Sequence, residues 1–150
     1  MIIGISGSPR KGGNSDTILE DTLKWGEREL GIDTDIVYLR DCGMHECLAC
    51  GNCGKDKVTG DYHDCALGDE DNIVEVFERL ENAKGFIIST PVYFGLPTPL
   101  VITFLNRSRF MRHQDFRLDL KVFGVISIAG RRTGGNETTI FSTWYPFPGS

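Results

Sequence analysis

Four short apolar runs, residues 1–6, 35–39, 85–89 and 122–128, constrain the fold more than any other feature of this chain. Each is nearly continuous rather than alternating, as in strands covered on both faces. Helix patterns lie between them. Leu19, Leu23 and Leu30 form one stripe with Ile18 beside it, Gly26 suits a close crossing, and Asn14 or Ser15 stands where a cap is needed. Ile73, Val76, Phe77 and Leu80 keep i, i+3, i+4, i+7 spacing behind Asp69-Glu70-Asp71, an acidic start that favours a helix amino terminus. Thr98-Pro99 supplies an N-cap and a first-turn proline for a helix through about residue 107, with Leu100, Phe104 and Leu105 turned inward. Strand and helix alternate, so the expected architecture is α/β, a doubly wound parallel sheet with right-handed crossovers.

The 150 residues, 40% of them hydrophobic, suit a single domain over 1–150. A formal charge of −5 with no Lys/Arg-rich block gives little electrostatic basis for nucleic acid or an anionic membrane as partner. The chain starts directly on an apolar strand pattern without a basic n-region, and the expected location is cytoplasmic. In a reducing compartment, five cysteines point to metal ligands or redox groups rather than a disulfide framework.

Two stretches depart from the alternation. Residues 42–68 form a long insertion after the second strand with no periodicity, and so structureless a segment in a compact domain is usually functional or metal-stabilised. At the other end, Thr138-Thr139-Ile140 leads into Trp144, Tyr145, Pro146 and residues 147–150, where a doubly wound domain would continue to a fifth strand and closing helix. The expectation is a fifth strand missing from this chain, through truncation, as a short variant, or with a partner over the open edge.

Directly after the first strand comes Gly7-Ser8-Pro9-Arg10-Lys11-Gly12-Gly13-Asn14-Ser15, leading into a helix. Hydroxyls, an arginine, glycines and free helix N–H groups at one spot suit a phosphate monoester. The loop is neither a Walker A sequence nor Gly-x-Gly-x-x-Gly. Ser8, Arg10, Asn14 and Ser15 are the candidate ligands, with amides around Gly13. Pro91, Val92, Tyr93, Phe94 and Gly95 end the third strand with a rigid, aromatic, apolar wall; Ala129, Gly130, Gly134, Gly135 and Glu137 belong to a glycine-rich loop after the fourth. In the order 2-1-3-4-5 these loops share the switch-point crevice.

These residues resemble the NADPH-dependent FMN reductase family of flavodoxin-like proteins, through Gly7-Ser8-Pro9-Arg10 to Asn14-Ser15, Pro91-Val92-Tyr93-Phe94-Gly95 and Gly134-Gly135-Asn136-Glu137-Thr138-Thr139 in that order. The resemblance implies a flavodoxin-like fold, FMN with its isoalloxazine against residues 91–95, and residues 129–137 on its other side or against a dimer partner. It also implies an FMN-dependent oxidoreductase assembled as a homodimer or tetramer.

Cys47, Cys50 and Cys53 have C-x2-C-x2-C spacing, like the compact start of a ferredoxin-type [4Fe-4S] site. Eleven residues separate Cys53 from Cys65, and four separate Cys42 from Cys47. The pattern resembles the iron-sulfur flavoprotein branch of the family, which implies a cluster in this insertion and Cys65, just before the acidic helix start, as its fourth ligand. Zinc on four cysteines, or free thiols, are the competing readings. His45 and His63 read as solvated loop residues. The expected function is electron transfer between a donor such as ferredoxin or NAD(P)H and an acceptor; the alternatives are a cluster-free NAD(P)H-dependent FMN or quinone reductase and a zinc-stabilised interaction domain.

Overall fold

The computed structural model describes residues 1–61 and 63–146. The strands are β1 (Ile2–Ser6), β2 (Thr34–Tyr38), β3 (Gly85–Pro91) and β4 (Val122–Ile128), all parallel in the order β2-β1-β3-β4. These are the first four positions of the expected order. No fifth strand occurs among the described residues, and residues 147–150 of the expected ending lie outside them. Central β1 and β3 are nearly fully buried, whereas β4 is only half-buried and Val122 is exposed. Continuous apolar character therefore describes the two inner strands well and β4 less well, because β4 has a neighbour on one side only.

The helices are α1 (Asn14–Leu30), α2 (Ile73–Asn82), α3 (Pro99–Arg107), the single-turn α4 (Arg109–His113) and α5 (Asn136–Trp144). In α1, Leu19, Leu23 and Gly26 are buried, and Gly26 lies against Ile32 as a close crossing requires. Leu30 does not join that stripe: it is 61% exposed at the last position of the helix, next to the Gly31 cap. The cap also differs from expectation. Gly13 occupies the N-cap without a side-chain bond, and the Asp16 carboxylate reaches back to the Gly12 N–H at 2.8 Å, so the helix begins one residue earlier than Asn14 or Ser15 capping requires.

Ile73, Val76, Phe77 and Leu80 of α2 are all buried, as their spacing predicts. Phe77 stacks on Phe104 of α3 at 4.6 Å and meets Phe110 of α4 edge-on at 5.4 Å. This cluster closes one face of the sheet, with Leu100 and Leu105 partly buried against it. Thr98 caps α3, accepting from the Val101 N–H at 3.4 Å and donating to the Gly7 carbonyl at 2.6 Å. The start of α3 is thereby tied to the loop after β1. Helix α5 follows a glycine pair and carries exposed Ile140, Phe141 and Trp144, with exposed Tyr145 just after it, so no regular apolar stripe announces it in the sequence.

Candidate functional site

All βα loops leave the sheet at its carboxyl edge, which gathers residues 7–13, 42–68, 92–98 and 129–135 on one side of the molecule. The first of these loops is held from within. Asp16 lies beneath it, 1% exposed, and accepts from the Ser6 hydroxyl, the Gly12 N–H and the Arg40 guanidinium at 3.0 Å. Burial would raise this carboxyl, but those donors hold Asp16 below the usual carboxylate range. Arg40 also donates to the Ser8 carbonyl at 3.1 Å and stacks over the Tyr38 ring at 4.4 Å. Tyr38, desolvated and bonded to Glu20, has its hydroxyl pushed up to about 12.

The candidate phosphate ligands separate into two groups. Ser8 is buried and its hydroxyl closes a turn, donating to the Arg10 carbonyl at 2.9 Å and accepting from the Arg10 N–H at 3.2 Å. Ser15 is buried at the start of α1, and its carbonyl accepts from the Ser89 hydroxyl. Arg10 and Asn14 are exposed, and Gly13 is half-exposed at the uncapped helix terminus. The arrangement offers first-turn N–H groups and an exposed cation to an incoming anion.

The loop after β3 makes a tight turn. Tyr93 and Leu96 exchange backbone hydrogen bonds at 2.8 and 3.0 Å, with Phe94 and Gly95 both at positive φ, as a type I′ turn requires. Phe94 is fully exposed at its tip. The loop after β4 docks directly on this turn: Gly135, at φ 94°, approaches so closely that an added Cβ would sit 2.6 Å from the Gly95 Cα. Thr138 donates to the Gly95 carbonyl at 2.6 Å, and the Val92 N–H bonds the Ile128 carbonyl at 2.9 Å. Val92 and Ala129 are half-buried nearby, and Gly130 and Glu137 face solvent.

The cysteine insertion separates its five thiols cleanly. Cys42 is a core residue, with its thiol directed at the Tyr38 carbonyl and pushed up by burial. Cys47, Cys50, Cys53 and Cys65 instead line one small cavity of about 20 Å3, walled by Leu48, Leu67 and the Arg109 side chain. Burial raises the Cys53 thiol, which Arg109 opposes. Among the described residues, no three His, Cys, Asp or Glu side chains converge on one point as a single metal ion requires. His63 lies 3.9 Å from Asp56 on the exposed rim, and His45 contributes only its backbone.

An ion pair without solvent exposure underlies this loop. Arg107 bonds Asp71 at 2.6 and 3.1 Å and the His45 carbonyl at 2.9 Å, while Asp71 accepts from the His45 N–H at 2.9 Å. Against its burial, these donors hold Asp71 below the usual carboxylate range. The Arg107 guanidinium also interacts with the Cys65 sulfur, and its Nε has no hydrogen-bond partner among the described residues. Neither Asp16–Arg40 nor Asp71–Arg107 is apparent from motif spacing. Arg107 carries one usable signal: it falls at i+7 from Leu100 on the inward stripe of α3, where a charge implies a buried partner.

A parallel sheet with its loops gathered at one carboxyl edge defines a flavodoxin-like α/β protein. The sequence model of the NADPH-dependent FMN reductase family matches residues 1–140. An iron-sulfur flavoprotein of Methanosarcina thermophila is 36% identical over 141 residues, covering 94% of this chain and 69% of the relative. One of Methanocaldococcus jannaschii is 34% identical over 139 residues, covering 93% and 67%. The solved structure of RosB with a bound 8-demethyl-8-formylriboflavin-5'-phosphate superposes with a TM-score of 0.70 at 17% identity, over 99% of this chain and 60% of that one. An NADH:FMN oxidoreductase in its apo form gives 0.62 at 19% identity, over 96% and 63%. The chain spans about two thirds of these flavoproteins' length and less of the solved structures'. It belongs to the NADPH-dependent FMN reductase family, in the iron-sulfur flavoprotein branch.

Proposed function

We propose that this chain is an FMN-dependent electron-transfer oxidoreductase in which a [4Fe-4S] cluster on Cys47, Cys50, Cys53 and Cys65 works beside the flavin. The observation that carries the reading is the sorting of thiols: four share one cavity and the fifth, Cys42, is spent in the core. Thiolates around one zinc ion lie about 3.8 Å apart, given Zn–S bonds of about 2.3 Å. A cubane instead takes each of four thiolates at a different iron, and four cysteines lining one pocket supply that number of donors.

The residues also fit FMN. The uncapped first turn of α1, with Arg10 and Asn14 exposed above it and Ser8 and Ser15 beneath, would hold the phosphate. Pro91, Val92, Tyr93, Phe94 and Gly95 would face the ring, and Ala129, Gly130, Gly134, Gly135 and Glu137 its other side or a second copy. The joined turns at Gly95 and Gly135 keep these walls from separating. FMN accepts one or two electrons and a cluster passes one, so together they would link hydride-type to single-electron chemistry. A ferredoxin-type protein or NAD(P)H would be the donor. The exposed Phe94, Phe141 and Trp144 side chains supply apolar surface for a homodimer or tetramer, and a cytoplasmic setting suits exposed thiols.

Visible spectra and iron and sulfide analysis of anaerobically purified protein test the proposal. Flavin bands over broad iron-sulfur absorbance are expected, with the latter lost in Cys65→Ala and kept in Cys42→Ala. Flavin without iron would instead establish the cluster-free NAD(P)H-dependent FMN or quinone reductase. Zinc without flavin would establish the interaction domain.

A further inference from the structure

The cysteine cavity holds a positive charge that no described residue answers. Arg107, beside Cys65, is neutralised by Asp71, and both side chains are wholly shielded from solvent. Arg109, two residues on, lines the cavity with the four cysteines, and among the described residues it has no carboxylate within ion-pair distance. The rest of the lining is apolar, Leu48, Ala49, Ala66 and Leu67 with Gly51, so little competes with that guanidinium for the field inside.

Resting on the iron-sulfur reading above, we propose that Arg109 sets the reduction potential of the group held by the four cysteines, favouring its more reduced form. Reduction adds one electron from a one-electron donor; no bond forms or breaks, and the added negative charge appears beside a guanidinium that stays protonated. Arg107 does not act this way, because Asp71 cancels its charge; its part is to position Cys65. Arg109 is exposed and makes no ion pair among the described residues, so its substitution removes no salt bridge seen there.

The test is a redox titration, with one-electron dye mediators, of anaerobically purified wild type, Arg109→Lys, Arg109→Gln and Arg109→Glu. Visible bleaching and the paramagnetic signal of the reduced cluster are followed, and iron, sulfide and FMN are assayed in each protein. Arg109→Lys should keep the wild-type midpoint. Arg109→Gln should lower the equilibrium constant for reduction about tenfold and Arg109→Glu about a hundredfold, with differences that shrink as salt is raised. Full iron with equal midpoints in the Lys and Gln variants overturns the inference alone, and that pair decides even if Arg109→Glu loses its iron. Wild-type protein without iron and sulfide overturns the cluster reading and this inference together.

Discussion

The loop after β1 and the insertion after β2 rest on the same device, a buried arginine–aspartate pair, yet they differ in what the pair holds. Asp16 binds the Gly12 backbone and the Ser6 hydroxyl directly while Arg40 grips the Ser8 carbonyl, so the loop's shape is complete within the protein. Asp71 and Arg107 hold the insertion at both backbone groups of His45 and at the Cys65 sulfur, and leave the other three cavity cysteines on chain that bonds mainly to itself. The first loop is held in shape by the protein's own bonds. The second is anchored at its base and carries the cysteines on the less constrained part.

Four substitutions sharpen that comparison. Asp71→Ala should have the largest effect, about 3 to 5 kcal/mol of stability by urea denaturation, because it leaves the Arg107 charge buried without a partner. A loss below about 1 kcal/mol would mean that water reaches the pair and the insertion is not anchored there. Asp16→Asn should lose about 2 to 3 kcal/mol through its hydrogen bonds to charged or buried partners. Both carboxyls lie below their usual range when folded, so their contribution is fully present above about pH 4 and lost as pH falls through the folded values. The acid limb of stability against pH should therefore flatten in Asp16→Asn; an unchanged limb would show that Arg40 and Ser6 do not hold the charge.

Gly135→Ala acts on the other wall of the edge. A Cβ there meets the Gly95 backbone and a positive φ at once, so a loss of about 1 to 3 kcal/mol is expected, with FMN affinity, read by fluorescence titration, falling alongside. Unchanged affinity would detach the joined turns from the flavin. The smallest effect should come from Cys42→Ala, about 1 kcal/mol for a small core deletion, with iron content intact.

Most of the layered architecture was legible because its signals are local. The α2 stripe at Ile73, Val76, Phe77 and Leu80 and the Thr98-Pro99 start of α3 appear as the pattern predicts, and strand ends shift by only a residue or two. The misses are non-local. Leu30 fits the α1 stripe by spacing but sits exposed at the helix end, where spacing alone does not say what covers it. Arg40 meets Asp16 across 24 residues and Arg107 meets Asp71 across 36, so no short motif records either pair. Helix α5 escaped notice because its buried side chains are Thr139 and Thr143 while its large apolar ones face outward.

Helix α3 works as a ruler. One end is pinned to Gly7 through Thr98, and the other carries Arg107 to the base of the cysteine loop. Its nine residues fix about 13.5 Å between the two ends. That separation can change only in steps, because each residue added or removed alters the length by about 1.5 Å and turns the far end by about 100°. A single-residue insertion would swing Arg107 off Asp71 before it moved the two sites appreciably apart. The spacing between the loop after β1 and the base of the cysteine loop is therefore among the least adjustable quantities in this fold.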